Sequence, residues 1–169
     1  IPVVVIISFE LVVVDQSKAE FVRSYAWIRL VKLWTGMRCS DLEGQPPHLQ
    51  KYRKGRGFEG VLTRTKTTGV GEKVETRPVC VSIDAWLQEE TWLDVGFQLW
   101  RQMSLESSTE ARDFMLPRPS LDLSTSTGTM AKYHNASVYS HALFGDLVRV
   151  TFDCHKREWH ADETALLFL

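Results

Sequence analysis

The chain has 169 residues, which is about the length of one globular domain. It is 44% hydrophobic and 11% aromatic with ten glycines and six prolines, so a disordered tail and a collagen-like or linker-like chain are excluded. Its net charge of −1 does not by itself indicate a polyanionic partner.

The charges are nevertheless distributed unevenly along the chain. Residues 51–78 contain eight basic and three acidic side chains, a net charge of +5, so the rest of the chain has a net charge of −6. A local excess of cations attracts polyanions. This basic segment is therefore the first candidate for a binding surface.

The three cysteines, Cys39, Cys80 and Cys154, are too widely spaced to indicate a disulfide framework, and no C-x-x-C pair indicates a zinc site. This usage predicts a reducing, intracellular compartment, which would be the nucleus in a eukaryotic host. The G-x-x-x-x-G-K-[ST] motif is absent, so no phosphate-binding loop is predicted.

The first fourteen residues are apolar and rich in β-branched side chains, which favours a buried strand; a buried helix starting near Pro2 is the alternative. The run lacks a basic region and a cleavage pattern, is interrupted by Glu10, and is too short to span a bilayer. We therefore predict neither a signal peptide nor a membrane segment. Because the sequence begins without Met, we expect it to be part of a longer protein.

An apolar stripe at helical spacing runs from Val22 to Met37 and predicts a helix that ends near Gly36. Ser40 and Asp41 are suited to capping a second, short helix, which the prolines at 46–47 would end. Two β-prone runs follow, at 60–65 and 79–82, joined by a glycine-containing turn at 66–71. They predict a small antiparallel sheet.

The second half of the chain returns to helical patterns. Ser82 is suited to capping a helix at 85–87, and apolar spacing predicts a helix from Trp92 to Met103. The remaining predictions are an extended proline-containing segment at 112–119, a polar loop at 124–129 and a helix at 131–147. Together these elements predict an α+β domain that is mainly helical with a small antiparallel β-sheet.

Four motifs occur in a recognisable order. They are Thr35-Gly-Met-Arg-Cys-Ser-Asp-Leu42 at a helix end, Arg64-Thr-Lys-Thr67 in a glycine-rich hairpin, the strand Arg77-Pro-Val-Cys-Val81, and Ile83-Asp-Ala-Trp-Leu87. This order resembles the catalytic domain of the tyrosine recombinase (phage integrase) superfamily, and most closely the recombinase-like domains of eukaryotic mobile elements. The resemblance spans roughly residues 17–125. It implies that residues 1–149 are the N-terminal part of a recombinase-like core and that 150–169 are a divergent or truncated tail.

The resemblance implies a role for three residues. Arg38 would grip the scissile phosphate and stabilise the transition state, and Lys66 would be the general acid for the departing 5′ oxygen. Asp41 would support Arg38 without touching DNA. Phosphoryl transfer of this kind depends on fixed cations and requires neither a metal nor a nucleotide.

The same resemblance predicts how these side chains are arranged. We expect Arg38 to be partly buried and held by Asp41 or a backbone carbonyl, and Lys66 to be exposed on the same concave face. Salt-sensitive contacts to the DNA backbone are expected from the basic segment. The candidate DNA-binding side chains are Lys51, Arg53, Lys54, Arg56, Arg64 and Lys73.

The second half of the family's active site is missing from the sequence. None of the five histidines begins a His-x-x-Arg motif, and all four tyrosines precede the place expected for the nucleophile. We therefore expect DNA binding without strand cleavage from this chain alone, with DNA and other protomers on DNA as partners. The alternatives are a non-catalytic nucleic-acid-binding module and a decayed mobile-element product. Neither a membrane nor a small-molecule cofactor is expected as a partner.

Overall fold

In a computed structural model of the protein, the described residues are 1–63, 76–106, 112–132 and 134–140. They form an α+β fold that is mainly helical, as the sequence predicts. The helices are α1 (Val3–Val14), α2 (Glu20–Thr35), α3 (Trp92–Glu106) and α4, which includes residues 134–140. The strands are β1 (Lys51–Arg53), β2 (Gly57–Leu62), β3 (Arg77–Ser82), β4 (Pro117–Pro119) and β5 (Ser126–Met130). Two 3-10 helices, Cys39–Gly44 and Pro47–Leu49, lie between α2 and β1.

The centre of the core is Trp27 of α2, which is completely buried. Its ring centroid lies 5.7 Å from that of Phe58 in β2, and 6.0 Å and 5.4 Å from those of Phe97 and Trp100 in α3. α3 approaches closely because Gly96 faces the indole, where an added Cβ would overlap the ring. One side chain therefore joins α2, α3 and the sheet.

The larger sheet is antiparallel, with the strand order β1-β2-β3. Phe58 stands opposite Val81 on the inner face, where both side chains are buried against the helices. Glu59 stands opposite Lys51 on one side and Cys80 on the other, on the outer face. The period of two in the strands thus separates an apolar inner face from a polar outer face, and the predicted antiparallel sheet is confirmed.

The preference for a strand at the start of the chain is wrong, and the helical alternative is correct. The first segment forms α1, which packs on α2 and α3 through residues such as Ile6, Phe9 and Val13. A helix satisfies its own backbone hydrogen bonds, whereas a strand here would need a neighbouring strand. Within the described ranges, none of the helices has the length and apolar character needed to cross a membrane.

The helix predicted at 85–87 is absent, and the cause is a contact with Glu10, a residue far away in the sequence. Glu10 of α1 is completely buried, and its carboxylate accepts hydrogen bonds from the backbone N–H groups of Leu87, Gln88 and Glu89 at 2.8–3.0 Å. These contacts hold the segment in an irregular conformation. Ser82 instead accepts a hydrogen bond from the N–H of Asp84 in a local turn after β3, and the next helix begins at Trp92, as predicted.

The region after α3 contains one further correction. Residues 126–129 of the polar loop predicted at 124–129 lie instead in β5, which pairs antiparallel with β4 in the extended segment. The paired residues are Pro117 with Met130 and Pro119 with Ser126, and the register shifts between the two prolines. Residues 134–140 confirm part of the helix predicted at 131–147, and the Tyr25 hydroxyl joins it to α2 by donating to the Ala136 carbonyl at 2.7 Å. Residues 141–147 lie outside the described part of the chain.

We predict that Glu10→Gln lowers the free energy of unfolding by about 2 kcal/mol, because it replaces a charged acceptor of several backbone hydrogen bonds by a neutral amide. Urea denaturation followed by circular dichroism measures the change. Glu20→Gln, at an exposed position in α2, removes the same charge and is the control. Equal stability of the two variants would show that the contacts of Glu10 contribute little.

Candidate nucleic-acid interface

The position of Arg38 is set by the end of α2. Gly36 adopts the left-handed conformation, with φ of 66°, and its N–H donates to the carbonyl of Leu33. The N–H of Met37 donates to the carbonyl of Lys32, which completes a Schellman-type end. Because the Met37 side chain is buried, the chain turns sharply and places Arg38 at the surface.

Asp41 supports Arg38 through the backbone. Asp41 is buried, and its carboxylate accepts a hydrogen bond from the backbone N–H of Arg38 at 2.8 Å, which caps the 3-10 helix Cys39–Gly44. The expectation that Arg38 is partly buried is wrong, because its side chain is exposed. The cap fixes the backbone of Arg38 at an exposed position of the chain.

The β1–β2 hairpin presents a second group of cations. Its turn runs from Arg53 to Arg56, and the N–H of Arg56 donates to the carbonyl of Arg53 at 2.9 Å. Gly55 has a φ of 79°, the value that the third position of a type II turn requires, so a glycine is needed there. The tight turn brings cations at its start, middle and end close together.

Four side chains of this hairpin are exposed: Lys51, Arg53, Lys54 and Arg56. Only one acidic side chain, Glu59, occurs among residues 51–62, which therefore have a net charge of +3. Glu59 forms an ion pair with Arg53, with Nε and Oε2 2.6 Å apart, on the diagonal of the antiparallel ladder. The result is a ridge of positive charge in which one arginine is held by a carboxylate.

The hairpin and the end of α2 are linked through a common support. The sheet rests on α2 where Phe58 meets Trp27, and Trp27 lies eight residues before the end of the helix at Thr35, roughly 12 Å along its axis. Between them, the buried amide of Gln50 donates to the carbonyl of Pro46 at 3.3 Å and fixes the connecting segment. The backbone of Arg38 and the cationic hairpin are thus held by the same rigid elements.

Three of the predicted site residues, Arg64, Lys66 and Lys73, lie outside the described residues, as does the tail at 150–169. The predicted meeting of Arg38 and Lys66 on one concave face therefore remains a prediction. Neither β1 nor the ion pair between Arg53 and Glu59 was predicted from the sequence. The signal was the alternation of Lys51 and Arg53 around the half-buried Tyr52, which is the period of a strand with one face inward.

Two cysteines flank this region in contrasting environments. Cys39 is buried, and burial raises the pKa of its thiol to about 11. Cys80 is exposed on the outer face of the sheet, opposite Glu59. The Cys80 thiol can therefore be labelled with a thiol reagent on the same face of the sheet as the cations of β1.

No protein-family model, curated protein or solved structure matches the chain. The recombinase resemblance accordingly rests on the sequence motifs alone.

We predict that iodoacetamide at pH 8 alkylates Cys80 and leaves Cys39 unmodified, because only an accessible thiolate reacts and the Cys39 thiolate forms near pH 11. Mass spectrometry of the digested protein measures modification at each cysteine. Treatment in denaturant is the control, since both thiols should then react. Rapid alkylation of native Cys39 would contradict its buried position.

Proposed function

We propose that this chain is a DNA-binding domain of the tyrosine-recombinase type, incomplete as an enzyme, which contacts the phosphate backbone through the β1–β2 hairpin. The observation that supports this proposal most directly is the exposed set of cations on the hairpin, two on the outer face of the sheet and two in the turn. In a protein whose net charge is −1, such a local group is the feature that a polyanion would select.

The hairpin has the physical properties of a backbone-binding element. Its cations alternate with an inward tyrosine, so the long side chains of Lys51 and Arg53 extend on one side, and Lys54 and Arg56 extend from the turn. Contacts of this kind neutralise phosphates and release counterions without reading base edges. We therefore expect weak binding with little sequence preference and a steep dependence on salt.

Arg38 gives the proposal its recombinase character. An arginine offers a planar set of donors that suits two phosphate oxygens, and the cap by Asp41 fixes the backbone from which the side chain extends. In the recombinase interpretation, Arg38 and Lys66 bind one phosphate, and the cations of the hairpin hold the neighbouring ones. No cleavage is expected, because the sequence lacks a His-x-x-Arg motif.

A non-catalytic nucleic-acid-binding module is the second candidate, favoured by the same absence. A suicide DNA substrate tests what both candidates share: neither should trap a covalent phosphotyrosine adduct, and an adduct would contradict both. Arg38→Ala separates the two candidates. A loss of affinity confined to DNA with an accessible phosphate at a nick or junction supports the recombinase-type site, whereas an equal small loss on every duplex supports a general binding role.

We predict that the triple variant Lys51→Gln, Lys54→Gln and Arg56→Gln weakens binding to a short DNA duplex by at least about tenfold at low salt. The slope of log affinity against log salt concentration should become shallower by about 3, since each lost phosphate contact removes nearly one counterion. Fluorescence anisotropy over a salt series measures both quantities.

The matched control for this variant is Lys18→Gln, Arg101→Gln and Lys132→Gln, which removes three exposed cations from other elements. It should change the salt slope by less than the hairpin variant. If the two variants weakened DNA binding equally, the effect would follow from net charge and the hairpin would have no special role.

We further predict that Glu59→Gln strengthens DNA binding by about threefold and steepens the salt slope by about 1, because Arg53 then gains a phosphate in place of its carboxylate partner. The same anisotropy assay measures the change. Glu90→Gln, an exposed position before α3, removes an equal charge and serves as the control. An unchanged slope for Glu59→Gln would place Arg53 away from the DNA.

A further inference from the structure

Trp86 differs from the other tryptophans of the described residues in its exposure. Trp27, Trp92 and Trp100 are at most 1% exposed, and the indole N–H of each donates to a backbone carbonyl. Trp34 is half-buried, whereas Trp86 is 42% exposed. Tryptophan is highly buried on average because its ring has a large apolar surface, so an indole left in water is a candidate for contact with a ligand.

The backbone on both sides of Trp86 is held by buried side chains. The carbonyl of Ala85 accepts a hydrogen bond from the indole N–H of Trp92 at 2.9 Å. The N–H of Leu87 donates to the carboxylate of Glu10 at 2.9 Å. Because Trp92 and Glu10 are completely buried, the exposed indole is attached to a backbone that is already ordered. Binding to this indole therefore requires little ordering of the protein.

Trp86 follows β3 at the end of the sheet that also contains the β1–β2 turn. The N–H of Ile83 donates to the carbonyl of Arg56 at 3.0 Å, which extends the antiparallel pairing of β2 and β3 by one pair. Gly57 permits this close approach, because its φ is 112° and an added Cβ would overlap the backbone of the opposite strand. The segment before Trp86 is thus fixed against the cationic turn.

A tight turn after β3 keeps Trp86 near this contact. The N–H of Ala85 donates to the carbonyl of Ser82 at 3.1 Å, and the N–H of Trp86 donates to the carbonyl of Asp84 at 3.0 Å. Three residues separate Trp86 from Ile83, and even an extended chain of that length spans only about 11 Å. The indole and the cations of the β1–β2 turn therefore belong to one end of the sheet.

We propose that Trp86 stacks on an unpaired base of DNA while Lys54 and Arg56 bind the phosphates beside that base. Aromatic rings next to cations bind single-stranded nucleic acid, because the ring covers the face of a base and the cations neutralise the backbone. A base inside an intact duplex is stacked on both sides and presents no free face. The inference rests on the proposed function and adds a substrate class to it, which is DNA with a single-stranded position.

The charge of this surface favours a nucleotide over a purely apolar partner. Arg53, Lys54 and Arg56 occupy the turn, against the single carboxylate of Asp84 in the segment from the end of β3 to Leu87. An apolar partner that covered the indole would also remove some of these cations from water at a cost in free energy. A nucleotide offers an aromatic face and a phosphate together, so it complements both parts of the surface.

Fluorescence anisotropy with two labelled DNAs of equal length tests the proposal. One is an intact duplex, and the other is the same duplex with a short gap in one strand. The wild type should bind the gapped DNA about tenfold more tightly, which is the effect of one stacked base. The gapped DNA has fewer phosphates, so charge alone cannot produce this preference.

Trp86→Leu keeps an apolar side chain but no aromatic ring, so it should abolish the preference and leave the affinity for the intact duplex unchanged. Trp86→Phe should retain most of the preference, because a ring is still present. Leu87→Ala removes the adjoining exposed apolar side chain and is the matched control, which should behave like the wild type. Circular dichroism verifies that each variant is folded.

Tryptophan emission provides a second measurement of the same contact. Single-stranded oligothymidylate should quench the emission of the wild type more than that of Trp86→Phe, because Trp27, Trp92 and Trp100 are buried. Equal quenching, equal affinity of the wild type for the two DNAs, or a preference that Trp86→Leu retains would overturn the stacking proposal and leave duplex binding by the hairpin intact. Failure of the wild type to bind either DNA would overturn both this inference and the proposed function.

Discussion

The packing of Trp27 against three elements is the contact on which the rest of this structure depends. A three-stranded sheet with one short strand does not bury enough apolar surface to be stable alone, so it requires a helical layer beneath it. Trp27 supplies that layer through Phe58, and Gly96 lets α3 approach the same indole from the other side. The position of the β1–β2 hairpin, and with it the cationic ridge, follows from this one aromatic contact.

Glu10 has a second structural role, because its carboxylate forms the hydrogen bonds that a helix or strand would otherwise provide for the backbone of residues 87–89. Its buried carboxylate satisfies three consecutive backbone N–H groups, which permits an irregular segment to lie against the helices without unpaired donors. The same arrangement turns the only charge of α1 inward and leaves its outer side apolar. One buried hydrogen-bond network thus accounts both for the conformation of residues 87–89 and for the burial of the only charged side chain of α1.

The electrostatic character of the sheet is a consequence of strand register. Alternation places Tyr52 inward and its two cationic neighbours outward, and the antiparallel pairing brings Glu59 opposite Lys51 and diagonal to Arg53. Residues 51–62 have a net charge of +3, although the whole chain has a net charge of −1. A surface of this kind binds by charge density, which is the physical basis of the proposed contact with DNA phosphates.

The helices α2 and α3 and the antiparallel sheet could be predicted from local patterns in the sequence. These patterns are the helical spacing of apolar residues, Gly36 at a helix end, and β-branched runs separated by glycines. The exposure of Lys51, Arg53, Lys54 and Arg56 also follows from the sequence, because a segment with this excess of cations has too few carboxylates to pair with them in a core. The helical conformation of the first segment follows from its packing on α2 and α3, because an almost wholly apolar run has no periodicity that distinguishes a helix from a strand. Tertiary contacts likewise decided the exposure of Arg38 and the strand at 126–130. The conformation of residues 87–89 was equally beyond local reasoning, since it depends on a carboxylate almost eighty residues away in the sequence.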